Sequence, residues 1–262
     1  MILLLCCFYA LTTLFIALYL KSLRFERLRF LRWFLFVTVI LHLAVFLTNS
    51  SDPRWITTSL LGVAAWSLSL RRSTLSIVLV LLPILVVVLL FDSFNRSDLS
   101  SGALPSPWIW VHVLLMIAGE TLFVLSAAVS MVYLAASREM KISKKMAFFS
   151  RISNLPAMEA LLQELIFVGF LFLSAGMGMG FFFAKQYWEV GWLLDPKVLA
   201  CVATWLLYAS LLILRQMRSG MKGKRSAQIA VVGFLCILFL AWGVDRFFPS
   251  QHLNYRMMEI QP

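Results

Sequence analysis

Residues 75–91 read LSIVLVLLPILVVVLLF. Apart from Ser76 and Pro83, every side chain in this stretch is a hydrocarbon or an aromatic ring. A run of 17 or more apolar residues is long enough to cross a bilayer as a helix, where every backbone N–H and C=O must be satisfied internally. Arg71 and Arg72 precede the run and Asp92 follows it, so both ends are marked by charge. The stretch predicts a transmembrane helix with a kink at Pro83.

The same pattern recurs on both sides. Apolar runs extend from Ile2 to Leu20, Trp33 to Leu47, Trp55 to Leu70, Trp108 to Ala135, Leu161 to Ala184, Val198 to Leu214 and Ile229 to Phe248. Over all 262 residues the chain is 61% hydrophobic and only 13% charged, with a mean hydropathy of +0.90. Nearly all of it is used in spanning, which leaves no sizeable soluble domain. The expectation is an all-α polytopic membrane protein: one transmembrane domain over residues 1–262, a bundle of about eight helices. The first run has no basic leader and no small-residue cleavage site, so it reads as a span rather than a removed signal peptide.

A net charge of +11 could suggest nucleic acid in a soluble protein. Here the missing soluble basic domain argues against that partner. The cations instead set orientation. Seventeen of the 23 lysines and arginines lie in the loops after the first, third, fifth and seventh spans, and six on the other side. By the positive-inside rule the seventeen are cytoplasmic, so both termini, the Asp92–Pro107 loop and the loop between spans six and seven are external. In a bacterium that is the periplasmic side of the inner (plasma) membrane. Cys6, Cys7, Cys201 and Cys236 all lie in apolar runs and read as small helix residues. No C-x-x-C-H occurs, so covalent c-type haem on this chain is excluded. Gly176, Gly178 and Gly180 sit in an apolar helix with no preceding strand; a dinucleotide reading fails, and Gly176 and Gly180 suit close helix packing.

The loop between spans six and seven reads W-E-V-G-W-L-L-D-P-K, Trp188 to Lys197. Tryptophan favours the membrane–water boundary, because its ring is apolar and its N–H needs a partner. An aromatic shelf with charges at its edge suits a flat amphipathic ligand. This stretch resembles the tryptophan-rich W-G-x-x-W-x-W-D-x-K-E signature of the CcsA/ResC-type cytochrome c assembly superfamily. Trp188, Trp192, Asp195 and Lys197 fall on matching positions, with Glu189, Leu194 and Val198 at the family's glycine, third tryptophan and final glutamate. The run Trp205-Leu206-Leu207-Tyr208-Ala209, ending at Arg215, is similar to the family's W-L-x-Y-A run, but Ile213 stands where histidine is common. Length and order are closest to CcsA and its shorter HemX/YpjD-like members.

The resemblance implies non-covalent haem b held at the external face between two histidines that flank the signature. His112, in W-V-H-V-L-L-M, matches the first, and His252, in H-L-N-Y, is placed at the second. Both would be axial ligands to haem iron, with Trp188, Trp192, Asp195 and Lys197 around the porphyrin. His112 could equally cap its helix or bond a carbonyl, and His252 stands in a tail. Asp195 and Lys197 could orient the loop or meet haem propionates. His42 lies mid-span, where an ionisable group is costly; it reads either as one member of the family's inner haem-holding pair or as a hydrogen-bonded structural histidine. Glu120 shares a helix face with His112 and Met116. The function implied is haem handling in cytochrome c biogenesis, with haem, a ResB/CcsB-type membrane subunit, apocytochrome c and membrane lipid as partners. The alternative is a HemX-like regulator or adaptor of haem synthesis. Enzyme activity by this chain alone is not expected, because no nucleophile, base and orienting group converge in one loop.

Overall fold

A computed structural model describes residues 2–22, 25–48, 54–94, 107–142, 154–187, 191–217, 223–239 and 244. Among them are eight α-helices: α1 (Ile2–Ser22), α2 (Phe25–Thr48), α3 (Arg54–Ser69), α4 (Leu75–Phe94), α5 (Pro107–Ile142), α6 (Leu155–Tyr187), α7 (Pro196–Met217) and α8 (Lys224–Leu238). Each coincides with one of the eight apolar runs. Six of them, all but α3 and α8, are long and apolar enough to cross a membrane. The described residues form an all-α polytopic membrane protein with no strand.

Helix ends depart from the apolar runs in an informative way. Arg29 and Arg32, expected in a loop, lie within α2, which begins before its apolar stretch. Arginine is a good helix former, and Arg32 uses its position. Its Nε donates to the Ser69 carbonyl (2.9 Å) and an Nη to the Leu70 carbonyl (2.7 Å), satisfying orphan acceptors at the end of α3. At the start of α6, Asn154 Oδ1 accepts from the Ala157 N–H at 3.3 Å, an N-cap. Helix α4 continues through Pro83.

The chain divides into two compact units, with the boundary inside α5 and α6. The first holds residues 1–102 and 124–163. In it α1 packs on α2, α2 on α3, α3 on α4, and α4 back on α1, a closed ring of four sequential neighbours. Its inward faces are stripes at helical spacing: Leu5, Tyr9, Thr12 and Ile16 on α1, and Leu28, Leu31, Leu35, Thr38, His42 and Val45 on α2. The outward residues are apolar too, including Leu3, Leu14, Val37, Leu41 and Leu47. Lipid tails are as apolar as leucine, so what holds such helices together is close packing and hydrogen bonding rather than removal of hydrocarbon from water.

The second unit holds residues 103–123 and 164–262. In it the first part of α5 lies along α6 through a glycine seam, and α7 packs on α8. Tyr208 on α7 is fully buried; its ring stacks on Phe123 (3.8 Å between centroids) and its hydroxyl fits against Gly233 of α8, where a Cβ would stand 2.5 Å from it. Arg215, near the end of α7, is buried and donates to the Ser226 hydroxyl at 3.0 Å.

Candidate functional site

Three features of the second unit make up the candidate site. The first is His112, on the early part of α5 and half-buried. Its Nδ1 lies 2.7 Å from the carbonyl oxygen of Gly176 on α6. A carbonyl can only accept, so Nδ1 carries the proton and donates. In a neutral imidazole this leaves the lone pair on Nε2. An Nδ1–H held by a backbone carbonyl is the arrangement that orients a metal-binding histidine and raises its basicity.

The second feature is the turn that enters α7. Gly191 has φ +105°, a left-handed conformation open to glycine at little cost. It leads into a single 3-10 turn, Trp192–Leu194. The Trp192 ring is half-buried and tilted against Phe181 of α6, with centroids 5.6 Å apart. Leu193 and Leu194 are exposed. Asp195 follows and is buried, 5% exposed. Its Oδ1 accepts from the N–H groups of Lys197 (2.9 Å) and Val198 (3.4 Å), which makes it the N-cap of α7. Pro196 occupies the first helical position, where a missing N–H costs nothing. The D-P-K sequence is therefore a helix start, and the carboxylate holds the tryptophan turn to the helix axis.

The third is a polar pair between α6 and α7. The indole N–H of Trp205 on α7 donates to Ser174 Oγ of α6 at 2.9 Å. That hydroxyl in turn donates to the Phe170 carbonyl at 2.7 Å.

His42 belongs to the other unit and is 1% exposed. Its Nδ1 stands 2.9 Å from the Tyr9 hydroxyl and its Nε2 3.2 Å from Thr58 Oγ1. Thr58 donates its proton to the Trp55 carbonyl (3.2 Å), so it accepts from His42. The ring is thus the Nε2–H tautomer, with Tyr9 donating to Nδ1. The Trp55 ring stands edge-on to it at 5.7 Å. Ile213, at the family's other inner histidine position, is exposed on α7.

Of the residues singled out in the sequence, the structure thus places His112, Trp192, Asp195 and Lys197 in one unit and His42 in the other. Trp188 and His252 lie outside the described residues. The partners of the two histidines, Gly176 for one and Tyr9 and Thr58 for the other, are new from the structure. A signal for the first was available: His112 and Met116 are four apart on α5, as Gly176 and Gly180 are on α6.

The fold and these features define a polytopic helical membrane protein with a tryptophan-bearing, aspartate-capped turn and an oriented histidine in one compact unit. Residues 1–250 match the cytochrome C assembly protein family, and the chain belongs to that family. Similar proteins include the cytochrome c biogenesis protein CcsA of Chlamydomonas reinhardtii, 34% identical over 55% of this chain and 39% of that protein. CcsA of Cuscuta exaltata is 30% identical over 60% of this chain and 57% of that protein. CcsA of Porphyra purpurea is 25% identical over 80% of this chain and 82% of that protein. The first two matches therefore span roughly two fifths and three fifths of those relatives' lengths. No solved structure matches the chain.

Proposed function

We propose that this protein handles haem in cytochrome c biogenesis, holding haem b non-covalently at the outer face of a bacterial plasma membrane and presenting it to a partner. The observation that carries the reading is the 2.7 Å bond from His112 Nδ1 to the Gly176 carbonyl, because a backbone carbonyl on one ring nitrogen is how a metal-binding imidazole is oriented and made more basic. His252 is the proposed second axial ligand. Trp188 and Trp192 supply aromatic surface, and Lys197 a cation toward the propionates. Asp195 acts by fixing the turn, since its Oδ1 is engaged with the α7 backbone. The excess of lysine and arginine in the loops of the opposite side supports an external turn and external termini. Haem brings the iron chemistry; the protein supplies ligation and orientation, and the thiols that would form thioether bonds belong to an apocytochrome c. A ResB/CcsB-type membrane subunit is the expected companion.

For His42, the tyrosine and threonine that hold both ring nitrogens favour a structural histidine over an inner haem ligand. Leu194 and Ile213, standing in place of tryptophan and histidine, favour a second reading for the whole chain: a HemX-like regulator or adaptor of haem synthesis. The test is purification in detergent with haem supplementation. A Soret band weakened in His112→Ala and His252→Ala supports haem handling. A colourless wild-type protein sinks it and leaves the regulator.

A further inference from the structure

The seam between α5 and α6 has a regular register. His112 faces Gly180, Met116 faces Gly176, Gly119 faces Leu173, and Phe123 faces Gly169. Each step of four, three and four residues along α5 is matched by an equal step back along α6, as two antiparallel helices at close range require. Three of the four α6 positions are glycine, so the backbones approach where side chains would keep them apart.

At the His112 end this closeness acts on the imidazole. A Cβ on Gly180 would stand 2.8 Å from His112 Cε1, 3.3 Å from Nδ1 and 3.5 Å from Nε2. The ring therefore lies against the bare Cα of Gly180. Cε1 is part of a rigid ring, so a methyl group there forces the whole imidazole to rotate or withdraw. The same ring is tied through Nδ1 to the carbonyl of Gly176, one turn earlier on α6. A Cβ on Gly176 would instead meet Met116, 2.9 Å from Sδ and 3.2 Å from the backbone nitrogen.

We infer that Gly176 and Gly180 are positioning residues for His112: one carbonyl and one missing side chain hold the imidazole in one orientation as its Nδ1–H tautomer. The inference rests on the reading of His112 as an axial haem ligand. Gly169, two turns and more from His112 on the same seam, is the control. A Cβ there would press on the Phe123 ring at 3.1 Å and leaves the imidazole alone.

The experiment uses the full chain in detergent as wild type, Gly180→Ala, Gly169→Ala and His112→Ala. Haem titration and resonance Raman spectra report affinity and axial ligation. Spectra of 15N-histidine-labelled, haem-free protein report the tautomer, with His112→Ala assigning the signal. The expected result is an Nδ1–H signature for His112 in wild type, lost in Gly180→Ala together with about tenfold or more of haem affinity and a changed axial-ligand spectrum. Gly169→Ala should melt earlier yet keep wild-type tautomer and haem spectrum. An Nε2–H signature for His112 in wild type overturns the inference, whether or not any variant folds. So does a Gly180→Ala protein that matches wild type, or one that matches Gly169→Ala. If His112→Ala keeps the wild-type haem spectrum, the ligand reading fails instead, while the tautomer measurement still judges the glycines.

Discussion

The Tyr9–His42–Thr58 cluster makes a prediction whose sign depends on one hydroxyl. Gly62 of α3 lies under the Tyr9 phenol: a Cβ there would stand 2.8 Å from the hydroxyl oxygen. Its other nearest neighbours, Val39 Cγ2 at 3.7 Å and Tyr9 Cζ at 3.8 Å, are in ordinary contact. Gly62→Ala must therefore push the hydroxyl away by about half an ångström, which stretches its 2.9 Å bond to His42 to the edge of hydrogen-bonding range. Losing such a bond in a membrane bundle costs about 0.6–1.7 kcal/mol, and overpacking adds about 1–3 kcal/mol. Alanine's better helix propensity returns about 1 kcal/mol. The net cost is about 1–3 kcal/mol. In Tyr9→Phe the hydroxyl is gone, so the same Gly62→Ala change should be neutral or stabilise by up to about 1 kcal/mol. Tyr9→Phe alone should cost about 1 kcal/mol. The coupling energy between the two sites is then about 1–4 kcal/mol, favouring the double variant over the sum of the singles. The assay is equilibrium unfolding by SDS titration in mixed micelles, read by circular dichroism, for the wild type, both single variants and the double variant. Equal costs of Gly62→Ala in the tyrosine and phenylalanine backgrounds would refute the geometry argued for this cluster.

Two further outcomes are expected in the second unit. Asp195→Ala removes the acceptor for two backbone N–H groups at the start of α7 and should lower stability by about 1 kcal/mol, with Asp195→Asn recovering most of it; thermal melts checking this would count against the cap if asparagine were no better than alanine. Gly233→Ala drives a methyl group into the Tyr208 ring, 2.5 Å from the hydroxyl, 2.6 Å from Cζ and 2.9 Å from Cε2, and should destabilise by about 1–3 kcal/mol; Tyr208→Phe keeps both ring carbons and should not relieve the loss, whereas Tyr208→Leu should, and thermal melts showing equal costs of Gly233→Ala in the tyrosine and leucine backgrounds would mean the contact is not what makes glycine necessary there.

The helices were legible because long hydrocarbon runs have one stable backbone solution in lipid. Helix starts were partly legible: Asn154 and the Asp195-Pro196 pair carry the local chemistry of N-caps. The Arg32 cap was not, because it joins the beginning of α2 to the end of α3 across 37 residues. Leu31, Leu35, Val37 and Leu41 illustrate the deeper difficulty. The first two are buried and the last two exposed, yet all four are aliphatic. In a soluble helix, outward positions would be polar and would reveal the inward face. In a lipid-facing helix the pattern is silent.

The same limit shaped the site. That His112 stands early in a helix and that Trp192, Asp195 and Lys197 share one turn follow from residue order. Which nitrogen of His112 carries the proton follows only from Gly176 approaching from 64 positions away. His42 was conspicuous as an ionisable group at mid-span. Tyr9 and Thr58 were two among many hydroxyls, and helix packing alone brought them to its two nitrogens.

The sequence by itself determined that this chain is a helical membrane protein, where its spans and turns fall, and which family signature it bears, because each depends on the chemistry of neighbours along the chain. The tertiary structure decided which faces turn inward, which tautomer each described histidine adopts, and why glycines line the seam beside His112. Those depend on contacts between helices, which one apolar composition can make in many ways and close packing makes in one.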